Sequence, residues 1–566
     1  MTALNDIGFL LNNVLQAPAQ WQALPAFADT DADLALQVLD EASKFVASQV
    51  APLQRVGDEV GCTFDAGKVT TPPGFKAAYQ AFWQAGWPSL SCAVEDGGQG
   101  LPAVLEGVLY ELLAGANHGW TMAPGLLHGA YACLKQHASP ALKEQYLPKI
   151  ASGEWLATMC LTEAHAGSDL GLVRSRGTPQ ADGSVHVNGS KIFISGGEHD
   201  LTDNIVHLVL ARLPDAPAGP KGLSLFLVPK ILPDGSRNAV VCERIEEKMG
   251  LHGSPTCVLR FDDATGWLVG APHQGLNAMF VMMNAARLHV GLQGIGLLDA
   301  AWQKAHTYAQ ERRQMRAPKA TPSGGPDPIA EHPAIRRILD TQRAWIDGGR
   351  LLAYHTALQL DVAQHHPDAG QRATAQRWCA LVTPVLKAAF TDQAFAGASA
   401  CLQVFGGHGY IREWGIEQIV RDARVAMIYE GTNEIQAIDL LLRKVLADGG
   451  LAMRTLLAEL PGDARRDALI ETTAALVLAA KADAELPYWL ADDYLRAVAL
   501  VLLDWAWGRI SAASSDARWT APAQAFHTWV LPEFDMRLAI MRQRLPRTFI
   551  KNKPLAQVLP ALSAID

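Results

Sequence analysis

HVNGSKIFISGG, His186–Gly197, decides how the chain divides. Its valine, isoleucines and phenylalanine sit among small and polar residues, and the run ends on two glycines. That is a strand and its turn, not a helix. NIVHLVLARL (204–213), GLSLFLVPK (222–230) and TCVLRFDD (256–263) repeat the pattern, each bounded by Gly, Pro, Asn or Asp. Residues 158–271 therefore read as a β-domain, with an imperfect in–out alternation expected where both faces are partly covered.

Working outward, the periodicity changes. LALQVLDEASKFVASQVAPL and GFKAAYQAFWQAGW repeat apolar residues every three or four positions, so 31–157 reads as an α-helical domain. Its turns fall at VTTPPG and EDGGQGLP, and 1–30 forms a helical lead-in. Helix patterns return over 272–447, in elements such as GLNAMFVMMNAARLHVGLQGIGLLDAAWQKAHTYAQERR, broken by the Pro/Gly-rich loop 317–328. After Asp448-Gly449-Gly450, residues 450–566 read as an appended helical module. The expected fold is α+β and multidomain: an N-terminal helical domain, a middle antiparallel β-barrel or sandwich, a C-terminal four-helix-bundle-like domain and the appended module.

The chain has 566 residues, 49% hydrophobic and 19% charged, the composition of a packed globular protein. A formal charge of −9 argues against general nucleic-acid or anionic-membrane binding. Its eight cysteines are scattered without a CxxC, so neither a metal site nor a disulfide framework is expected. MTALNDIGFLLNN lacks a basic leader. The apolar run AVALVLL falls far short of the roughly 20 residues that span a bilayer. A cytoplasmic location is expected.

No GxGxxG follows a strand, and GxxxxGK[ST], HExxH and GxSxG are missing. GLQGIG (291–296) lies inside a helix pattern and is expected to serve close helix packing.

Two stretches carry chemistry. MCLTEAHAGSDLG (159–171) offers the hydroxyls of Thr162 and Ser168 beside Ala166-Gly167, where backbone N–H groups can approach a ligand. MIYEGTNEIQ (427–436) places one acid, Glu430, after three large residues and before a glycine, in a turn leading into an apolar helix. Such an acid is a solvated loop residue or a general base held on a short loop.

TEAHAGSD, KIFISGG, EKMGLHGS, YAQERRQ, FGGHGY and RDARVAMIYEGTNEIQ occur in the order found in acyl-CoA dehydrogenases, and the chain resembles that family over about 35–447. The N-terminal stretch 61–90, EDGGQGLP and the C-terminal module resemble its C-terminally extended branch, often named after 3-methylmercaptopropionyl-CoA. The resemblance implies oxidation of an acyl-CoA thioester to the trans-2-enoyl-CoA with FAD as hydride acceptor. Electrons would pass to electron-transfer flavoprotein.

Residue by residue, it implies Glu430 as the base that takes the α-proton. Some branches supply the base from the position before the arginine matching Arg287; here that residue is Ala286, which cannot. Leu161, Thr162, Gly167 and Ser168 match flavin and pyrophosphate contacts, Ser168 also facing the CoA arm. Phe193 stands where many relatives have tryptophan against the flavin, and Ser195 where they have threonine. Arg312 matches the arginine that reaches the FAD phosphates of a neighbouring subunit, although Met315-Arg316 departs from the usual Phe-Gly. Gln403, Val404, Phe405, Gly406 and Gly407 match the segment over the adenine half. Thr432, Asn433 and Glu434 start the helix beside the flavin. Asn284, Arg287, Tyr429 and Gly431 match substrate-side positions.

Residues 537–553 carry six cations and no acid. They read as a solvated helix face, an interface or a nucleic-acid patch. The last keeps open a flavin-bearing DNA-binding protein of the alkylation-response type. Acyl-CoA oxidase is the third reading. The expected assembly is a homodimer, by likeness to dimeric long relatives.

Overall fold

The computed structural model describes residues 2–319 and 324–545. Part of the basic run, 546–553, lies outside them, as does the end of the expected appended module.

The lead-in packs as helix Thr2–Phe9, a π-turn Leu10–Val14 and helix Ala17–Gln22, with Trp21 fully buried. Helices follow at α1 (Ala32–Phe45), α2 (Phe75–Gln84), α3 (Ala103–Thr121), α4 (Leu127–His137) and α5 (Pro140–Ser152). Their ends obey local chemistry. Asp31 caps α1 by accepting from the Leu34 N–H, and Ser139 caps α5 just before a first-turn proline.

Seven strands form one sheet: β1 (Leu156–Cys160), β2 (Arg176–Pro179), β3 (Val185–Ser195), β4 (Ile205–Arg212), β5 (Leu223–Pro229), β6 (Val240–Ile245) and β7 (Thr256–Val269). The pairing is antiparallel for β2–β3, β3–β7, β4–β5, β5–β7 and β6–β7. It is parallel for β1–β4, over five residue pairs, and for β2–β4 at the single pair Arg176–Arg212. The sheet is thus mixed rather than purely antiparallel, because β1 reaches β4 only after the chain has laid down β2 and β3. The strand path closes on itself, since β4 pairs with β5 as well as with β2.

Strand β4 explains the imperfect alternation. Leu208 and Leu210 face a core shared with Tyr79, Phe82 and Trp120, while Val209 and Ala211 face Phe226, Cys257 and Phe261. Period-2 geometry sends successive side chains into two different cores.

The long helices are α6 (Gly275–Glu311), α7 (Pro333–His365) and α8 (Ala369–Val404), followed by α9 (Ile416–Ala423) and α10 (Asn433–Ile438). GLQGIG lets them touch. A Cβ on Gly294 would lie 2.7 Å from the Phe390 carbonyl oxygen, and one on Gly296 2.3 Å from that of Glu111. The glycines are packing residues, as their spacing within a helix suggests.

Helices α11 (Leu451–Glu459), α12 (Ala464–Ala479), α13 (Leu486–Ala513), α14 (Ala517–Ala525) and α15 (Glu533–Arg544) complete the described chain. They share a core with α7, α8 and the lead-in, through Trp507, Trp345, Leu10 and Trp21. A buried ion network ties the same parts: Arg343 to Asp299, Asp347 and Asp6, Arg350 to Glu111 and Asp299, and Arg518 to Asp6 and Asp347. Among the described residues, no helix is long and apolar enough to cross a membrane.

Candidate active site

The turn before α10 is held in an unusual shape. Glu430 has φ +56° and Gly431 φ +84°. For a glutamate the left-handed region costs about 1–2 kcal/mol, so the neighbours must fix it. They do so through the two carbonyls. The Glu430 oxygen accepts from Arg287 Nε at 3.5 Å and from Gln436 Nε2 at 3.0 Å. The Gly431 oxygen accepts from Lys387 Nζ at 2.8 Å and Gln436 Nε2 at 3.3 Å. Glycine suits 431, where φ is +84° and a Cβ would lie 2.8 Å from Gln436 Nε2. Thr432 caps α10 by accepting from the Ile435 N–H.

The Glu430 carboxylate is treated differently from its backbone. Among the described residues it accepts no hydrogen bond. Burial pushes it up to about 7, against the opposing charges of Arg287 and Lys387. That is a carboxylate able to exchange a proton near neutrality.

Its surroundings are the expected substrate-side residues. Tyr429 donates to Gln293 Oε1 at 2.7 Å, and burial raises its phenol. Arg287, buried on α6, donates to Asn284 Oδ1 at 3.2 Å and faces Asp439 at 3.8 Å. The Asn433 side chain is spent inside the bundle, on Lys387, Thr391, Asp392 and the Ala388 carbonyl. Glu434 is exposed.

A second group gathers at the sheet. The Thr162 carbonyl accepts from the Ile192 N–H at 2.9 Å, setting the 161–168 turn against β3. There β3 bulges between Lys191 and Ile194, and Phe193, at φ +59°, is 61% exposed. A large aromatic is pushed outward at backbone cost, while Ser195 returns to the ladder opposite Thr256. Gly167 and Ser168 are exposed, and a Cβ on Gly167 would meet nothing.

Glu163 and Lys191, which lie inside the motifs with no role implied for them, hold this group together. Lys191 Nζ lies 2.9 Å from Glu163 Oε1 and donates to the Leu161 carbonyl at 2.9 Å. Glu163 also accepts from the Arg174 and Ser175 N–H groups and from Ser175 Oγ. Burial would raise its carboxyl, but Lys191 and these donors hold it down at about 2. A lysine inside a buried strand is the available signal, since such a cation is rarely left unpaired.

The third group is a cleft of about 600 Å³ lined by Tyr308, Arg312, Gln403, Phe405, Gly406 and Gly407, among others. Val404 lies on its wall. Tyr308 stacks on Phe405 at 4.3 Å between centroids. Arg312 ends α6, and its guanidinium has no partner among the described residues. Nothing would meet a Cβ on Gly406 or Gly407. No hydrogen bond joins the three groups among the described residues, and the cleft wall includes no residue of 158–271.

The family's N-terminal, middle and C-terminal acyl-CoA dehydrogenase domains match residues 33–154, 158–264 and 273–445. A 3-methylmercaptopropionyl-CoA dehydrogenase of Ruegeria pomeroyi is 44% identical over 456 residues, covering 80% of this chain and 77% of the relative. The chain belongs to the acyl-CoA dehydrogenase family. Membership makes it an oxidoreductase acting on acyl-CoA. The broad-specificity linear acyl-CoA dehydrogenase FadE5 of Mycobacterium tuberculosis is 38% identical, over 75% of this chain and 72% of its own length. An acyl-CoA dehydrogenase of Bacillus anthracis complexed with FAD has a TM-score of 0.75 at 19% identity, over 96% of this chain and 92% of that one. At that identity the likeness is one of fold, and it extends over the appended helices.

Proposed function

We propose that the chain converts acyl-CoA thioesters to trans-2-enoyl-CoA, Glu430 removing the α-proton. The family is FAD-dependent, and FAD supplies the acceptor for the β-hydride. The residues present fit that group. Phe193 offers an exposed aromatic face, Gly167, Gly406 and Gly407 leave backbone open to close approach, and Arg312 presents an exposed fork suited to phosphate. Leu161, Thr162, Ser168 and Ser195 border the same turn and strand, with Thr432, Asn433 and Glu434 at the start of α10.

The observation that carries the reading is the Glu430 turn. Its carbonyls are tied, its carboxylate is not, and burial brings its titration near neutral pH. Asn284, Arg287, Tyr429 and Gly431 position the turn toward the substrate side. A homodimer is the proposed assembly, by likeness to dimeric long relatives, with the exposed Arg312 on its open cleft available to a second copy. Electron-transfer flavoprotein is the proposed acceptor of the electrons.

Anaerobic titration of the purified protein with acyl-CoAs of graded length tests the reading. At least one should bleach the flavin, and Glu430→Gln should abolish bleaching while FAD stays bound. Bleaching that survives the substitution overturns Glu430 as base. No bleaching with any chain, together with salt-sensitive retention on DNA, overturns the enzyme reading in favour of the DNA-binding one.

A further inference from the structure

Lys387 sits midway along α8 with no exposed surface. Burying an ammonium is costly, so a chain that keeps one there needs more than filler from it. Lys387 spends its donors on the Gly431 carbonyl and on Asn433 Oδ1, both at 2.8 Å. The helix backs this contact with a fixed set of partners. Thr391, one turn further on, lies 3.2 Å from Asn433 Oδ1, and the Asn433 amide donates to Asp392 Oδ1 at 2.6 Å. So α8 grips the residues on the C-terminal side of Glu430, while Arg287 on α6 reaches the Glu430 carbonyl itself.

We propose that Lys387 is a positioning residue for the base: it holds the left-handed Glu430–Gly431 turn from behind and places a buried positive charge beside the Glu430 carboxylate. This inference rests on Glu430 being the base. An uncharged donor could hold the turn equally well; only a cation also favours the ionised carboxylate.

The charges around the pair are few. Lys387 faces Glu430, Asp392 and Glu434 as attractive partners and Arg287 as a repulsive one. Glu430 faces Arg287 and Lys387. Arg287 in turn meets Asp439 and, more distantly, Arg443, while Asp392 faces Arg496 and Asp492 of α13. Burial lowers Lys387 to about 8, which leaves it charged at pH 7. Both cations felt by Glu430 share their charge with other acids, Arg287 with Asp439 and Lys387 with Asp392 and Glu434; Lys387 is the one that also holds the Gly431 carbonyl at 2.8 Å, so its removal touches the turn and the charge together.

The test compares Lys387→Met, Lys387→Gln and Lys387→Arg with the wild type, all FAD-loaded. Two readouts are taken: the pH dependence of flavin reduction by acyl-CoA, and the carboxylic-acid infrared band assigned by its loss in Glu430→Gln. In the Met and Gln variants both midpoints should move up by about one pH unit, as expected when a charge beside a carboxylate is removed. Reduction at pH 7 should fall about fivefold, as the ionised fraction does when the midpoint rises by about one unit from about 7, through loss of kcat rather than a rise in KM. Lys387→Arg should keep the midpoint near wild type. Gln serves if Met does not fold. Midpoints unmoved in both neutral variants overturn the inference, even if activity falls, since that is the signature of a purely structural lysine. A wild type that no acyl-CoA bleaches removes the base reading, and this inference with it; bleaching with unmoved midpoints removes this inference alone.

Discussion

Two carboxylates on tight turns, Glu163 and Glu430, have opposite fates. Both lie beside a buried lysine, Lys191 for one and Lys387 for the other. Glu163 accepts from two backbone N–H groups, a serine hydroxyl and the ammonium, and is held down at about 2. Among the described residues Glu430 accepts nothing through its carboxylate, and it is pushed up to about 7. The difference lies in where the lysine's hydrogen bonds go. Lys191 gives one to the carboxylate, whereas Lys387 gives its own to the Gly431 carbonyl and the Asn433 side chain behind it. A carboxylate saturated with donors is fixed as an anion and builds structure; one denied donors but kept near a cation can trade a proton.

The comparison can be broken at either end. The largest effect is expected at the unsaturated acid: Glu430→Gln should slow flavin reduction on the order of 10³-fold, measured by stopped-flow, with the fold intact. Next comes the saturated one. Lys191→Met leaves Glu163 without its cation and should cost about 3 kcal/mol in chemical denaturation, with the turn at Leu161 and Thr162 loosened. Ser175→Ala removes one hydrogen bond to a charged group and should cost about 1.5 kcal/mol by the same measurement.

The pH dependence of stability should have opposite signs at the two sites. Glu163 titrates below its ordinary 4.5 when folded, so its contribution is present above that pH and is lost as pH falls toward 2. Glu163→Gln should flatten the acid limb of a melting-temperature profile. Glu430 titrates above 4.5, so its ionisation weakens the fold as pH rises from there past 7. Glu430→Gln should therefore raise the melting temperature more at pH 8 than at pH 5.

The sequence reveals what depends on local pattern. The strand β4, the long helix α6 and the glycines of GLQGIG follow from period and spacing, because each is decided within a few residues. The family motifs likewise point to Glu430 and to the residues of the Arg312 cleft. Long-range partners are not legible. Glu163 and Lys191 meet only because a turn folds against a strand 28 residues later. Lys387 meets Gly431 across 44 residues. The ions joining Asp6 to Arg518 span nearly the whole chain. The parallel pairing of β1 with β4 is hidden for the same reason, since strand patterns carry no direction.

We propose that the acid in the tied turn titrates near neutral pH and is the proton acceptor. The most direct measurement is the rate of flavin reduction under anaerobic single-turnover conditions, followed from about pH 4 to 9 with a reactive acyl-CoA at low concentration. A rise with a midpoint of about 7 is predicted, absent in Glu430→Gln. A flat profile, or a midpoint at the ordinary carboxylate value of 4.5, would contradict the account.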